Sequence, residues 1–95
     1  MKTIYIDCAG VTSAPEFWQR YIDAAQPEGA DLFGRNLNAF WDAVEVGGPG
    51  WPGKAKLVFT NSSQLSSIFV TNNGSMLDGL RRVADEATAT VIELV

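Results

Sequence analysis

Apolar and polar residues alternate from Lys2 to Asp7, the two-residue period of a strand with one buried face. The period then changes. Phe17, Trp18, Tyr21, Ile22 and Ala25 recur three and four residues apart, which places them on one face of a helix. Ser13 stands before this run, with Pro15 in the first turn and Glu16 completing an S-x-x-E capping box. Gln26-Pro27-Glu28-Gly29 predicts where the helix stops. A second helix is predicted from about Asn36 to Val46, with Leu37, Phe40, Trp41 and Val44 in one apolar stripe. The segment Gly47–Gly53 is too rich in Gly and Pro for regular structure and predicts a loop. Lys54–Thr60 is apolar enough to be a central strand.

Asn61 or Ser62 is expected to cap a short third helix through Leu65, Ile68 and Phe69, with Asn72-Asn73-Gly74 as a turn. Met76, Leu77, Leu80, Val83, Ala84 and Ala87 predict the inward face of a fourth helix, and Thr90–Val95 a third strand. The order β-α-α-β-α-α-β predicts an α/β fold: a small three-stranded parallel sheet covered by about four helices, because parallel strands need long crossovers. With 95 residues, 46% of them apolar, one domain spanning 1–95 is expected.

Charge narrows the classes of function. Seven Lys and Arg against eleven Asp and Glu give a net charge of −4 and no basic stripe, so direct nucleic-acid binding is disfavoured. An acidic surface suits a basic partner, such as an enzyme whose site binds phosphates. No apolar run approaches the roughly 20 residues of a membrane span. The apolar stretch before Cys8 is too short for a secretory signal and Asp7 interrupts it, so a cytoplasmic protein is expected, in keeping with a single Cys.

Candidate chemistry is sparse. Histidine is absent, which removes the commonest general base and neutral metal ligand, and Cys8 has no His to activate it. Cys8 is read as a packing residue. No cluster has metal-ligand spacing, and no cofactor is expected. Gly48-Pro-Gly-Trp-Pro-Gly-Lys54 matches the opening of a phosphate-binding loop, but Ala55 replaces the metal-binding hydroxyl and the segment runs from helix into strand.

The second helix carries a further pattern. Asn38, Asp42 and Glu45 follow i, i+4, i+7 and form a polar stripe beside the apolar one, with Trp41 at the border. Asn36 is placed to cap the helix, and Gly34 permits a close approach of the preceding loop. The run Phe33-Gly-Arg-Asn-Leu-Asn-Ala-Phe-Trp-Asp42 resembles the barstar signature, aromatic-Gly-x-Asn-Leu-Asp-Ala-Leu-Trp-Asp, and the inferred element order resembles that family's from end to end.

The resemblance implies an intracellular inhibitor of an extracellular guanyl-specific ribonuclease, binding it 1:1, monomeric when free and not itself an enzyme. In that family the second helix and the loop before it plug the enzyme's active site, and the carboxylate after the Trp takes the place of an RNA phosphate. Carried onto this chain, that role falls on Asp42, with supporting contacts from Asn38, Trp41, Asn36 and Gly34 and with Leu32 and Phe33 in place of an aromatic pair. Asn38 stands where the family usually has Asp, and Glu45 is expected to restore that charge. The family also uses an acid of the fourth helix, for which Asp78, Asp85 and Glu86 are candidates. Two rivals follow from the same residues: a barstar-fold interaction protein whose partner is not a ribonuclease, and a small enzyme with a carboxylate site, the latter weakened by the missing His.

Overall fold

The computed structural model describes residues 1–71 and 74–95. Strand β1 spans Lys2–Asp7, followed by helix α1 at Ala14–Ala25 and a 3-10 turn at Ala30–Leu32. Helix α2 covers Leu37–Trp41 and runs on as a π-helical turn at Asp42–Val46. Strand β2 (Ala55–Thr60) leads into a 3-10 helix at Ser62–Ser67. Two short strands, β3 (Phe69–Thr71) and β4 (Gly74–Ser75), precede helix α3 (Met76–Glu86) and strand β5 (Val91–Leu94). The main sheet has the order β1-β2-β5, both pairings parallel, with β2 in the centre as its apolar sequence predicts.

The alternation in the strands sets which face is buried. Ile4, Ile6, Leu57, Phe59 and Ile92 point into the core, whereas Tyr5 and Val91 on the opposite face are exposed. The helices therefore cover one face of the sheet. On the other, Val58 is shielded by its register neighbours Tyr5 and Glu93, and Lys56 pairs with Glu93 at 2.7 Å. Within the core, Phe17, Trp18, Tyr21, Phe33, Phe40 and Phe59 form a continuous set of ring contacts, such as Tyr21 edge-on to Phe40 at 5.3 Å. Aromatic pairs of this geometry add about 0.5–1.5 kcal/mol each beyond their buried area.

Local chemistry explains where the elements begin. Ser13 caps α1 by accepting from the Glu16 amide at 3.3 Å, but the Glu16 carboxylate turns to the Thr12 amide and hydroxyl, both at 3.1 Å, rather than back to Ser13. A full capping box occurs instead at α3, where Ser75 and Asp78 bond reciprocally. Cys8 is wholly buried, and burial pushes its thiol up to about 11, consistent with a packing role.

Three expectations are corrected. The third helix is a 3-10 segment that stops at Ser67, because Ser66 and Ser67 hydroxyls bond back to the carbonyls of Ser63 and Gln64, competing with α-helical pairing. Asn61 does not cap it: its backbone is left-handed and its amide donates to Asp7 Oδ1 at 2.9 Å. Phe69, expected on that helix, lies on β3 and is 77% exposed. Of the predicted turn, Asn72 and Asn73 lie outside the described residues.

Candidate functional site: the α2 edge and the loop before it

Asn36 starts α2 as expected. Its Oδ1 accepts from the Ala39 amide at 2.8 Å, while its Nδ2 donates to the Gly34 carbonyl at 3.1 Å. Both ends of that side chain thus fold the loop onto the first helical turn. A Cβ on Gly34 would sit 3.1 Å from that of Ala39, so the small residue lets the loop close. Leu37 lies over Gly79 of α3, where any Cβ would collide with its Cδ1, and this contact sets the helix against α3.

Asp42 marks the change from α to π winding. Its amide donates to the carbonyls of Asn38 and Ala39, and its carbonyl accepts from the amides of Gly47 and Gly48. Gly47 takes the left-handed backbone (φ 82°) that ends the turn. The Asp42 backbone is therefore bonded on both sides. Its side chain is exposed, and among the described residues its carboxylate takes part in no hydrogen bond or ion pair. Asn38 is exposed beside it and Trp41 is half-buried, so these three residues form one accessible edge.

Glu45 behaves differently from its expected place on the same stripe. Its carboxylate accepts from the Thr88 amide (2.8 Å), the Thr88 hydroxyl (2.7 Å) and the Ala89 amide (2.8 Å). The Thr88 hydroxyl and then these two amides hold its carboxyl below the usual carboxylate range. Thr90 adds a bond from its hydroxyl to the Val44 carbonyl at 2.7 Å. The wider π turn rotates Glu45 toward the loop before β5, so this acid latches the helix to the domain and does not restore the charge that Asn38 lacks.

Phe33 is also corrected. It is 5% exposed and packs against Trp18 and Tyr21 at 5.6 and 5.8 Å, whereas its neighbour Leu32 is 78% exposed. The reason lies in the Gly47–Gly53 loop. Gly50 presses its backbone onto the Phe33 ring, where a Cβ would come within 2.6 Å. Gly50 also donates its amide to the Glu28 carbonyl at 2.7 Å and receives the Tyr21 hydroxyl on its own carbonyl at 2.8 Å. Glu28 in turn donates to the Trp51 carbonyl at 3.2 Å. The Gly- and Trp-containing loop is thus a clamp on the segment before α2, and Trp51 is half-buried in it.

Beside this edge runs a groove of about 760 Å³ between α2 and α3. Asn36, Asn38 and Trp41 form one wall. Of the three acids left open by sequence, Glu86 lines the groove, Asp78 belongs to the α3 cap, and Asp85 lies outside.

Among the described residues, this arrangement offers a fixed, unpaired anion flanked by an amide and an indole. The family model described as Barstar (barnase inhibitor) matches residues 1–94. The chain belongs to the Barstar family. Its members are inhibitors of barnase-type ribonucleases, and the fold and the α2 signature of this Barstar protein agree with that membership. No curated protein matches the chain closely enough to count as a relative. Beyond Asp42, the residues that hold this Barstar α2 in place, Gly50, Thr88, Ala89 and Thr90, were not singled out by periodicity. Their sequence signal is weak: a Gly-rich loop and a T-A-T run just before the last strand.

Proposed function

We propose that this protein inhibits a secreted guanyl-specific ribonuclease from within the producing cell, forming a 1:1 complex in which Asp42 occupies the site of an RNA phosphate. The observation that carries the reading is the Asp42 carboxylate: exposed, unpaired among the described residues, and borne on a backbone bonded on both sides. A phosphate pocket is a preformed set of guanidinium and amide donors, and a carboxylate is the side chain that best matches its charge and geometry. Because the backbone is already ordered, little conformational entropy is lost on docking.

Leu32, Gly34, Asn38 and Trp41 are the flanking contacts in this reading, and Glu86 is the acid of α3 best placed to join them. Phe33, Asn36 and Glu45 act behind them, fixing the loop and the helix. Occlusion alone suffices, so no turnover by the protein is expected.

The test is an RNA-cleavage assay with a barnase-type ribonuclease. Stoichiometric loss of cleavage on adding the protein is the expected outcome, with association slowing as salt rises from 50 to 500 mM, conditions that shorten the screening length severalfold. Undiminished cleavage at a several-fold excess of protein would rule the reading out.

A further inference from the structure

The groove beside the α2 edge has a composition that phosphate mimicry does not explain. Its lining is largely apolar, with Leu37, Val70, Met76 and Val83 facing the wall that Trp41 helps to form, and the 77% exposed Phe69 stands at its side. Two cations, Arg35 and Arg82, line it beside a single acid, Glu86, so its lining is net positive although the chain carries a net charge of −4. Among the described residues neither guanidinium is ion-paired. Arg35 is instead held by Gln19, whose Oε1 accepts from its Nη1 at 3.1 Å and whose Nε2 donates to Asp23 at 2.8 Å. Its backbone sits in the left-handed region (φ 51°), a conformation that costs a non-glycine residue about 1 kcal/mol or more. Asn38 and Trp41 belong both to this groove and to the proposed inhibitory edge, so a partner docked on Asp42 would overlie it.

We propose that the groove receives a loop of the same ribonuclease bearing an apolar side chain and a neighbouring carboxylate, the apolar group entering between Trp41 and Phe69 and the carboxylate pairing with Arg82. The inference rests on the reading of Asp42 as the plug. A groove of this volume is of the size that takes a drug-sized ligand, enough for a loop's apolar side chain and its neighbours. An enzyme surface that binds RNA is basic around its phosphate site, and an entirely basic rim would be repelled by Arg82. A carboxylate at that position turns the repulsion into an ion pair, and the apolar lining strengthens it by excluding water. Anion on one side and cation on the other make the surface bipolar, so the groove selects among ribonucleases that Asp42 alone would accept alike.

The test uses the full chain and a barnase-type ribonuclease that it inhibits. Titrations compare Arg82→Glu, Phe69→Ser and Asp42→Ala, and a photo-crosslinking phenylalanine analogue at Phe69 reports the occupant. Arg82→Glu and Phe69→Ser are expected to raise Kd about tenfold or more each, with melting temperatures unchanged because both side chains are exposed. The crosslink is expected on a ribonuclease loop that contains Asp or Glu. Unchanged or tighter binding by Arg82→Glu beside a weakened Asp42→Ala would overturn the groove contact and leave the plug standing. A crosslink to a second copy of this chain would overturn it as well. Weakening by Arg82→Glu with Asp42→Ala unaffected would uphold the groove contact and remove the plug instead.

Discussion

Asp42 and Glu45 stand three residues apart at the end of one helix, carry the same charge, and do opposite things. Glu45 has three donors from Thr88 and Ala89 around its carboxylate, more than forty residues away in sequence. Asp42 has donors only on its backbone carbonyl, and its side chain stays free among the described residues. The difference teaches that an acidic stripe is not a unit of function. One acid anchors the helix to the domain and the other is presented outward by that anchoring. Leu32 and Phe33 repeat the lesson in apolar form, one exposed and one locked beneath the Gly50 backbone.

The largest effect on stability is expected at that second pair. Phe33→Ala removes a ring wedged between Trp18, Tyr21 and Gly50 and should cost about 3–5 kcal/mol in urea unfolding, whereas Leu32→Ala should stay within about 0.5 kcal/mol. Equal losses for the two would erase the distinction between them. Next comes Gly50→Ala. Its φ of 95° and the 2.6 Å approach of a Cβ to the Phe33 ring combine backbone strain with overpacking. A loss of about 2–4 kcal/mol is expected by the same measurement.

Glu45 gives a smaller, pH-shaped effect. Its carboxyl is held below its unfolded value of about 4.3, so the folded protein binds fewer protons than the unfolded chain in that range. Its contribution is present above the unfolded pKa and is lost as pH falls through the lower folded one. Glu45→Gln should therefore lower stability at neutral pH and flatten its decline below about pH 4.5. A mutant with the wild-type acid profile would show that Glu45 is not the latch. The remaining acids with depressed values, Asp7 and Glu16, keep part of that decline in either protein.

Much of the fold was legible because its cues are local. Alternation gave β1, three-and-four spacing gave α1 and α3, the apolar run of β2 gave the central strand, and Asn36 announced the start of α2. What was not legible depended on partners far along the chain. The π turn requires the Gly47 and Gly48 amides to converge on one carbonyl. The role of Glu45 requires the Thr88 loop to arrive beside it. Phe33 is buried because a Gly-rich loop, which local rules describe only as irregular, folds back as its lid. Phe69 was misplaced because serine hydroxyls shorten the helix before it. The candidate acid itself was found by resemblance and not by periodicity, since an i, i+4 stripe treats Asp42 and Glu45 alike.

The central claim is that Asp42 acts through its negative charge in another protein's phosphate site and contributes little to its own fold. Asp42→Asn keeps the shape and removes the charge, so its titration against a barnase-type ribonuclease, alongside a melting curve, addresses that claim most directly. Leaving the enzyme's buried cations without a counter-charge costs about 3 kcal/mol or more, which predicts at least a hundredfold rise in Kd with an unchanged melting temperature. Wild-type affinity in the Asn variant would contradict the claim, as would a loss of affinity matched by a loss of fold.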